Sequence, residues 1–238
     1  MTSHSMKRRA RRAAAIAIAA ACLAGGASAQ EANPADPLEG FNRGVTRFND
    51  VVDEAVMRPI AVAYEKVVPQ LLRTGVNNFF NNLTDVWSFA NSVMQLRGQQ
   101  SAQTFMRVNV NTFFGVGGFL DVASEAGIER HREDFGQTLG RWGVGPGPYL
   151  VLPILGPSTV RDTAALPVDY VGGLISNVDN IPLRNSMYAL RLVDARADLL
   201  KVDRLLRDAA LDKYSLTRDV FLQRRRNDVY DGNPPDDE

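Results

Sequence analysis

Apolar residues recur along this chain at spacings of three and four, the mark of helices that keep one face away from water. A first stripe runs through Phe41, Val45, Phe48 and Val52. Asp36-Pro37-Leu38-Glu39 stands before it as a helix start: Asp36 as cap, Pro37 at the first helical position, Glu39 completing a capping box. That helix is predicted to reach about Met57 and to be ended by Pro59. Leu72, Val76, Phe79, Phe80 and Leu83 repeat the pattern, with Arg73, Asn77, Asn78, Asn81 and Asn82 on the other side. Asparagine is a poor helix former, so packing or membrane contact must hold this segment. Thr84 is predicted to cap a further helix to Leu96, with Gly98 as its stop. Its Val86, Trp87, Phe89, Ala90, Val93, Met94 and Leu96 cover most of the circumference, as in a helix that is buried or faces lipid.

Between Ser101 and Phe114 the pattern is double. Met106, Val108, Val110 and Thr112 alternate with Arg107, Asn109 and Asn111 as in a strand, while Met106, Val110, Phe113 and Phe114 fit a helix. From Gly115 to Gly156 lie ten of the 19 glycines, with Pro146, Pro148 and Pro153 among them. Short helical pieces are expected at 118–123 and 134–139. The run WGVGPGPYLVLPILGP, residues 142–157, reads as a tight loop or hairpin with an apolar arm from Tyr149 to Leu155. Ser158 is expected to cap the next helix. Leu183, Met187, Leu190, Val193, Ala197 and Leu200 then form a helical seam, with Arg184, Arg191, Asp194, Asp198 and Lys201 outside it. The acidic, proline-containing end, 227–238, reads as a loose tail. There is no internal repeat or linker, so residues 30–226 are read as one domain.

Charge sharpens this picture. The formal net charge is zero, but residues 1–29 hold five bases, Lys7 to Arg12, and no acid, so the remainder carries 22 basic and 27 acidic residues. An acidic body argues against nucleic acid as main partner, since that contact needs phosphate neutralisation. The basic stretch precedes an apolar run, 13–24, too short to span a bilayer. Ala27-Ser28-Ala29 follows as a cleavage site, so 1–29 read as an export signal. Cys22 is the only cysteine and sits where a lipoprotein signal places its acylated residue, which would make the signal 1–21. Ala19, Ala20 and Ala21 before it lack the usual large aliphatic residue, so cleavage after Ala29 is preferred to lipidation at Cys22.

Catalytic chemistry is sparse. His4 lies in the signal, leaving His131 amid Arg130, Arg132, Glu133 and Asp134, where a charged turn is the expected reading. One histidine and no mature thiol make a zinc site improbable. No Gly-x-Ser-x-Gly elbow or phosphate-binding loop appears, and Gly143, Gly145 and Gly147 are interrupted by prolines where a dinucleotide loop needs a helix start. The expectation is a protein without cofactor or metal that is not an enzyme. What remains is amphipathic surface. Eight aromatics from Phe79 to Phe119 crowd together in helices without a single spanning run. In a soluble protein they would form an aromatic core; the export signal shifts the balance towards helices lying in a membrane interface.

The segments DPLEGFNR (36–43), VNNFFNNL (76–83), EDFGQTLGRWGVGPGPYLVLPILGPSTVRD (133–162) and the Val168-Asp169 pair resemble the MlaA/VacJ family of outer-membrane lipoproteins. The resemblance runs from Asp36 to about Asp169 and departs from the family at the poor box before Cys22. It implies an all-helical ring-like body at the periplasmic face of the bacterial outer membrane, and it favours helix for 101–114. It also implies an amphipathic channel that passes misplaced outer-leaflet phospholipid to a soluble periplasmic carrier, with an outer-membrane porin trimer as partner. On this reading Asn78, Phe79, Phe80, Phe113 and Phe114 are expected at the lipid path. Arg141 and Arg161 are candidates for headgroup contact, against surface salt bridges as the plainer role. Gly143, Gly145, Gly147 and Tyr149 are expected in a gate or partner loop. The competing readings are a soluble periplasmic lipid-binding carrier and a structural porin-associated adaptor.

Overall fold

The computed structural model describes residues 36–209 and 212–235. The expected signal at 1–29, with Cys22, and the last three residues of the expected tail lie outside the described residues. Helices carry the fold: α1 (Glu39–Val52), α2 (Arg58–Val67), α3 (Gln70–Met94), α4 (Gly98–Phe113), α5 (Val122–Glu125), α6 (Phe135–Arg141), α7 (Val160–Gly172), α8 (Ile181–Ala209) and α9 (Lys213–Val229). Strands β1 (Tyr149–Leu152) and β2 (Gly156–Thr159) form an antiparallel hairpin with Tyr149 opposite Thr159 and Leu152 opposite Gly156. The all-helical class, the hairpin and the helical choice for 101–114 therefore stand.

Several boundaries move, each for a local reason. Asp36 does not cap α1: its buried carboxylate accepts from Asn42 Nδ2 at 2.8 Å and from the Tyr214 hydroxyl at 2.5 Å, while Glu39 pairs with Arg43. Pro59 does not end the helix. A π-turn at Asp53–Met57 widens the coil, the Arg58 amide reaches back five residues to Asp53, and Pro59 sits in the first turn of α2, where its missing donor costs little. Thr84 lies inside α3 and returns its hydroxyl to the Phe80 carbonyl at 2.9 Å. Leu96, with φ 59°, ends that helix, and Gly98 opens α4. The cap of α7 is Thr159, one residue beyond Ser158, accepting from the Asp162 amide. Helix α9 runs to Val229, so the expected loose tail starts too early at 227.

Helix α3 packs on α4 and α8, α2 packs on α8, and α6 packs on α7. The circuit closes where α9 returns to the start of the chain: Tyr214 and Arg218 both reach Asp36. What fills the interior reverses the usual order. The described residues bury nearly twice as many polar or charged side chains as hydrophobic ones. Apolar burial is scattered: two small clusters, Val45 with Tyr149, Val151 and Tyr214, and Ala61 with Ala197 and Leu200, and single residues such as Phe80, Ile175 and Val229. Between α3, α4 and the loops beyond them lie Asn82, Asp85, Ser88, Asn91, Ser92, Thr104, Arg107 and Asn111. They are held by their own network: Asp85 by Arg130 at 2.7 Å, Arg107 by Asp121 at 2.9 Å, Asn111 by Asp121 and the Ala123 amide. Most of these groups are paired, since an unpaired one costs about 1–3 kcal/mol; the Thr104 hydroxyl, Asn82 Oδ1 and Arg107 Nε have no hydrogen-bond partner among the described residues.

The outside is correspondingly apolar. Leu96 is 92% exposed, Phe113 75%, Phe114 74% and Val116 74%, and Phe105, Leu71 and Val67 join them. Of the aromatic crowd, Phe105, Phe113 and Phe114 turn outward, Phe79, Trp87, Phe89 and Phe119 are half-buried, and Phe80 is buried. In α8 the seam is likewise misread from sequence: Asp194 is buried, accepting from Tyr64 Oη and Asn77 Nδ2, while Leu183 and Leu190 are exposed. Apolar surface on this scale is unfavourable in water and stable against lipid. No described helix is long and apolar enough to cross a membrane, so the lipid-compatible surface is spread over many short faces.

Candidate functional site: an amphipathic cleft

A cleft of about 570 Å³ opens between α3, α7 and α8, with the hairpin tip at its edge. Its walls are apolar: Leu83 and Trp87 from α3, Leu155 from the hairpin, Leu166 and Tyr170 from α7, then Leu174 and Ile175. Tyr170 stacks on Tyr188 of α8 with centroids 6.1 Å apart and planes within 14°. Charged groups line the same space: Glu133, Asp134, Asp169 and Arg191. A space with hydrocarbon walls and a charged lining suits a molecule with both characters.

The acids are fixed and partnered. Asp169 Oδ1 accepts from the Trp87 indole and from the Phe135 amide, each at 2.8 Å, so one carboxylate ties α3, α6 and α7 together. Burial raises its pKa, against the pull of those two donors. Glu133 is held by Arg97 and by Gln95 Nε2, both at 2.8 Å. Burial nevertheless pushes its carboxyl up to about 7, with the Gln95 bond and Arg97 charge resisting. Asp134 caps α6 and takes a double contact from Arg225, each at 2.6 Å, while Arg225 also grips Asp162 at 2.9 Å.

The residues expected at a lipid path lie elsewhere. Asn78 donates to the Phe119 carbonyl at 3.2 Å and so pins the loop after α4. Phe79 and Phe80 meet edge to face at 5.4 Å, Phe80 buried. Phe113 and Phe114 point outward at the end of α4. None of these five lines the cleft. A second cleft, of about 410 Å³, is bounded by the glycine loop and α9 and includes Gly143, Gly145, Gly147 and Arg161. Gly143 and Gly147 adopt φ of 93° and 65°, which explains their glycines. Arg161 is buried, contacting Asp162 at 3.0 Å and the Val144 carbonyl at 3.3 Å, whereas Arg141 is exposed. Tyr149 is sealed in the apolar cluster under the hairpin, so it anchors that segment. His131 meets Gln103 at 2.7 Å.

Sequence reasoning missed Trp87, Tyr170, Leu174, Tyr188 and Arg191 as lining. The Val168-Asp169 pair was a usable signal, because Asp169 organises the wall. Arg191 gave none, since the pattern placed it only outside the apolar seam.

A polar interior, an apolar exterior and a two-sided cleft define a helical protein with an amphipathic site. The sequence model of the MlaA lipoprotein matches residues 34–228, and the chain belongs to the MlaA lipoprotein family. It is 38% identical over 219 residues to the intermembrane phospholipid transport system lipoprotein MlaA of Escherichia coli K12, covering 90% of this chain and 86% of the relative. The protein of that name from Haemophilus influenzae is 36% identical over 210 residues, covering 83% of this chain and 80% of the relative. A solved structure described as the structural basis for maintenance of bacterial outer membrane lipid asymmetry matches with a TM-score of 0.71 at 35% identity. It covers 83% of this chain and 99% of the other.

Proposed function

We propose that this chain is the outer-membrane component of an intermembrane phospholipid transport system. It takes misplaced phospholipid from the outer leaflet, passes it through the protein and delivers it to a soluble periplasmic carrier. The observation that carries the reading is the inverted burial together with the amphipathic cleft. Apolar faces suit a seat in the membrane, and the cleft offers chains a lipid-like wall beside charged groups that keep a headgroup solvated. Transfer of this kind makes and breaks no covalent bond. Each methylene kept from water is worth roughly 0.8 kcal/mol, so a two-chain lipid needs apolar contact along its route. The Phe113–Phe114 face supports contact with surrounding lipid or a porin trimer, and the glycine loop is a candidate for partner contact.

The test is a strain lacking the protein, in which outer-leaflet phospholipid is measured by its accessibility to added phospholipase. Accessible phospholipid is expected to rise and to return to normal when the chain is restored. An unchanged level would overturn the transport reading in favour of a structural adaptor. Fractionation with the periplasm, carrying stoichiometric lipid, would favour a soluble carrier.

A further inference from the structure

Arg191 enters the cleft with no carboxylate within 4.0 Å among the described residues, unlike the cleft's acids, each of which already has its own donors. Among the described residues its guanidinium donates to the Thr84 hydroxyl alone, at 3.2 Å. Its side chain is open to solvent at the cleft mouth, while the neighbouring protein draws its pKa below the ordinary value. Arg132 has no carboxylate within that distance either; its closest polar contact is Asn81 Oδ1 at 3.5 Å. Asn81 and Thr84 stand three apart on α3 and so share a face. A third guanidinium, Arg130, reaches the Asn81 carbonyl at 3.1 Å and the Asp85 carboxylate at 2.7 Å. Three guanidiniums thus converge on one stretch of helix that offers a single carboxylate, itself shared with Arg107 at 3.9 Å. On that stretch of α3 guanidiniums outnumber carboxylates, beside apolar walls, while the cleft's acids Glu133, Asp134 and Asp169 are turned to their own donors.

We infer that Arg191, flanked by Arg132, is a phosphate-binding station of the cleft, holding the phosphodiester of a lipid headgroup while the acyl chains lie along Trp87, Leu166 and Leu174. Guanidinium presents paired donors that match two phosphate oxygens, which ammonium does not. The cleft supplies what free phosphate would not need: hydrocarbon contact within the same space. This inference rests on the lipid-path reading above and adds the group recognised and the residues that recognise it.

Trp87 reports on the site. In a Trp142→Phe background of the full chain in mild detergent, its fluorescence is titrated with dihexanoyl phosphatidylglycerol, with dihexanoylglycerol and with inorganic phosphate. Arg191→Gln is expected to weaken the phospholipid about tenfold or more and to leave the phosphate-free lipid unchanged. Arg191→Lys is expected to recover part of the loss, and unchanged circular dichroism shows each variant folded. Equal effects of Arg191→Gln on the two lipids, or none on either, would overturn the phosphate station while leaving a lipid path. Inorganic phosphate alone matching the phospholipid response would overturn the lipid source in favour of a free-phosphate site. No response to either lipid in the parent protein would sink the lipid path itself.

Discussion

Asn42→Leu puts the inverted interior to its most direct test. Asn42 is fully buried, and every polar atom of its side chain is engaged. Its Nδ2 donates to Asp36 Oδ1 at 2.8 Å and to the Tyr149 carbonyl at 3.1 Å; its Oδ1 accepts from the Val151 amide at 2.8 Å. One amide thus stitches α1 to β1, which has no strand partner on that side among the described residues. Leucine has nearly the same size and would strand the Val151 amide and the Tyr149 carbonyl, at about 1–3 kcal/mol each. Asp36 would lose a charge-assisted bond, while Tyr214 and Arg218 stay in place. Burying the leucine side chain returns about 1.5–3 kcal/mol. The net loss is about 3–5 kcal/mol, a large share of the roughly 5–15 kcal/mol that holds a typical protein folded. For a chain of this size that is a fall in Tm of about 6–20 °C. Thermal unfolding by circular dichroism in mild detergent measures it, and faster hydrogen exchange at the Val151 amide locates it. A Tm within about 2 °C of the parent, or higher, would refute the argument that polar pairing organises this interior.

Three further outcomes follow from the same coordinates. Glu133 keeps its proton in the folded state up to about 7, whereas the unfolded chain releases it near 4.5, so stability falls as pH rises between those values. Denaturation midpoints from pH 4 to 8 should show that decline in the parent and a flatter profile in Glu133→Gln. At Gly172 an added Cβ would stand 2.4 Å from the Trp87 ring, whose nitrogen is tethered to Asp169. Gly172→Ala should therefore displace the indole, shift Trp87 emission in the Trp142→Phe background and cost about 1–3 kcal/mol. Unaltered emission would mean the contact is loose. The double change Phe113→Ser and Phe114→Ser removes two outward rings, each worth about 1.5–3 kcal/mol when buried in lipid. Flotation with vesicles should drop at least tenfold while helix content holds; undiminished flotation would show that this face does not meet lipid.

How much of this was legible depended on whether a feature is local. The hairpin could be read from Gly, Pro and the apolar arm at 149–155, because turn chemistry is decided by neighbouring residues. Helix was settled at 101–114 only by family resemblance, since its pattern fits two periods. The failures at Asp36, Thr84 and Ser158 share a cause: a short polar residue near a helix start has several possible partners. Asp36 found Asn42 and Tyr214, which lie far apart in the chain. Pro59 was misread because a π-turn, not a break, absorbed it. The cleft was hardly legible, since its lining comes from segments as distant as Leu83 and Arg191. Phe79, Phe80, Phe113 and Phe114 attracted attention as aromatics, but their separation from the cleft is a matter of tertiary direction.

The sequence alone determined that the chain is largely helical, that several helices have two chemically distinct faces, and that a glycine-rich loop or hairpin interrupts them. Periodicity carries that information because backbone geometry places every third or fourth side chain together. It did not determine which face turns inward, because amphipathicity is symmetric until the surroundings are known. The tertiary structure decided it: Asn and Arg faces pair across helices, Leu and Phe faces turn out, and three distant arginines meet at Asn81 to Asp85. Long-range hydrogen bonds and charge pairing make that choice, and no local window of sequence contains both partners.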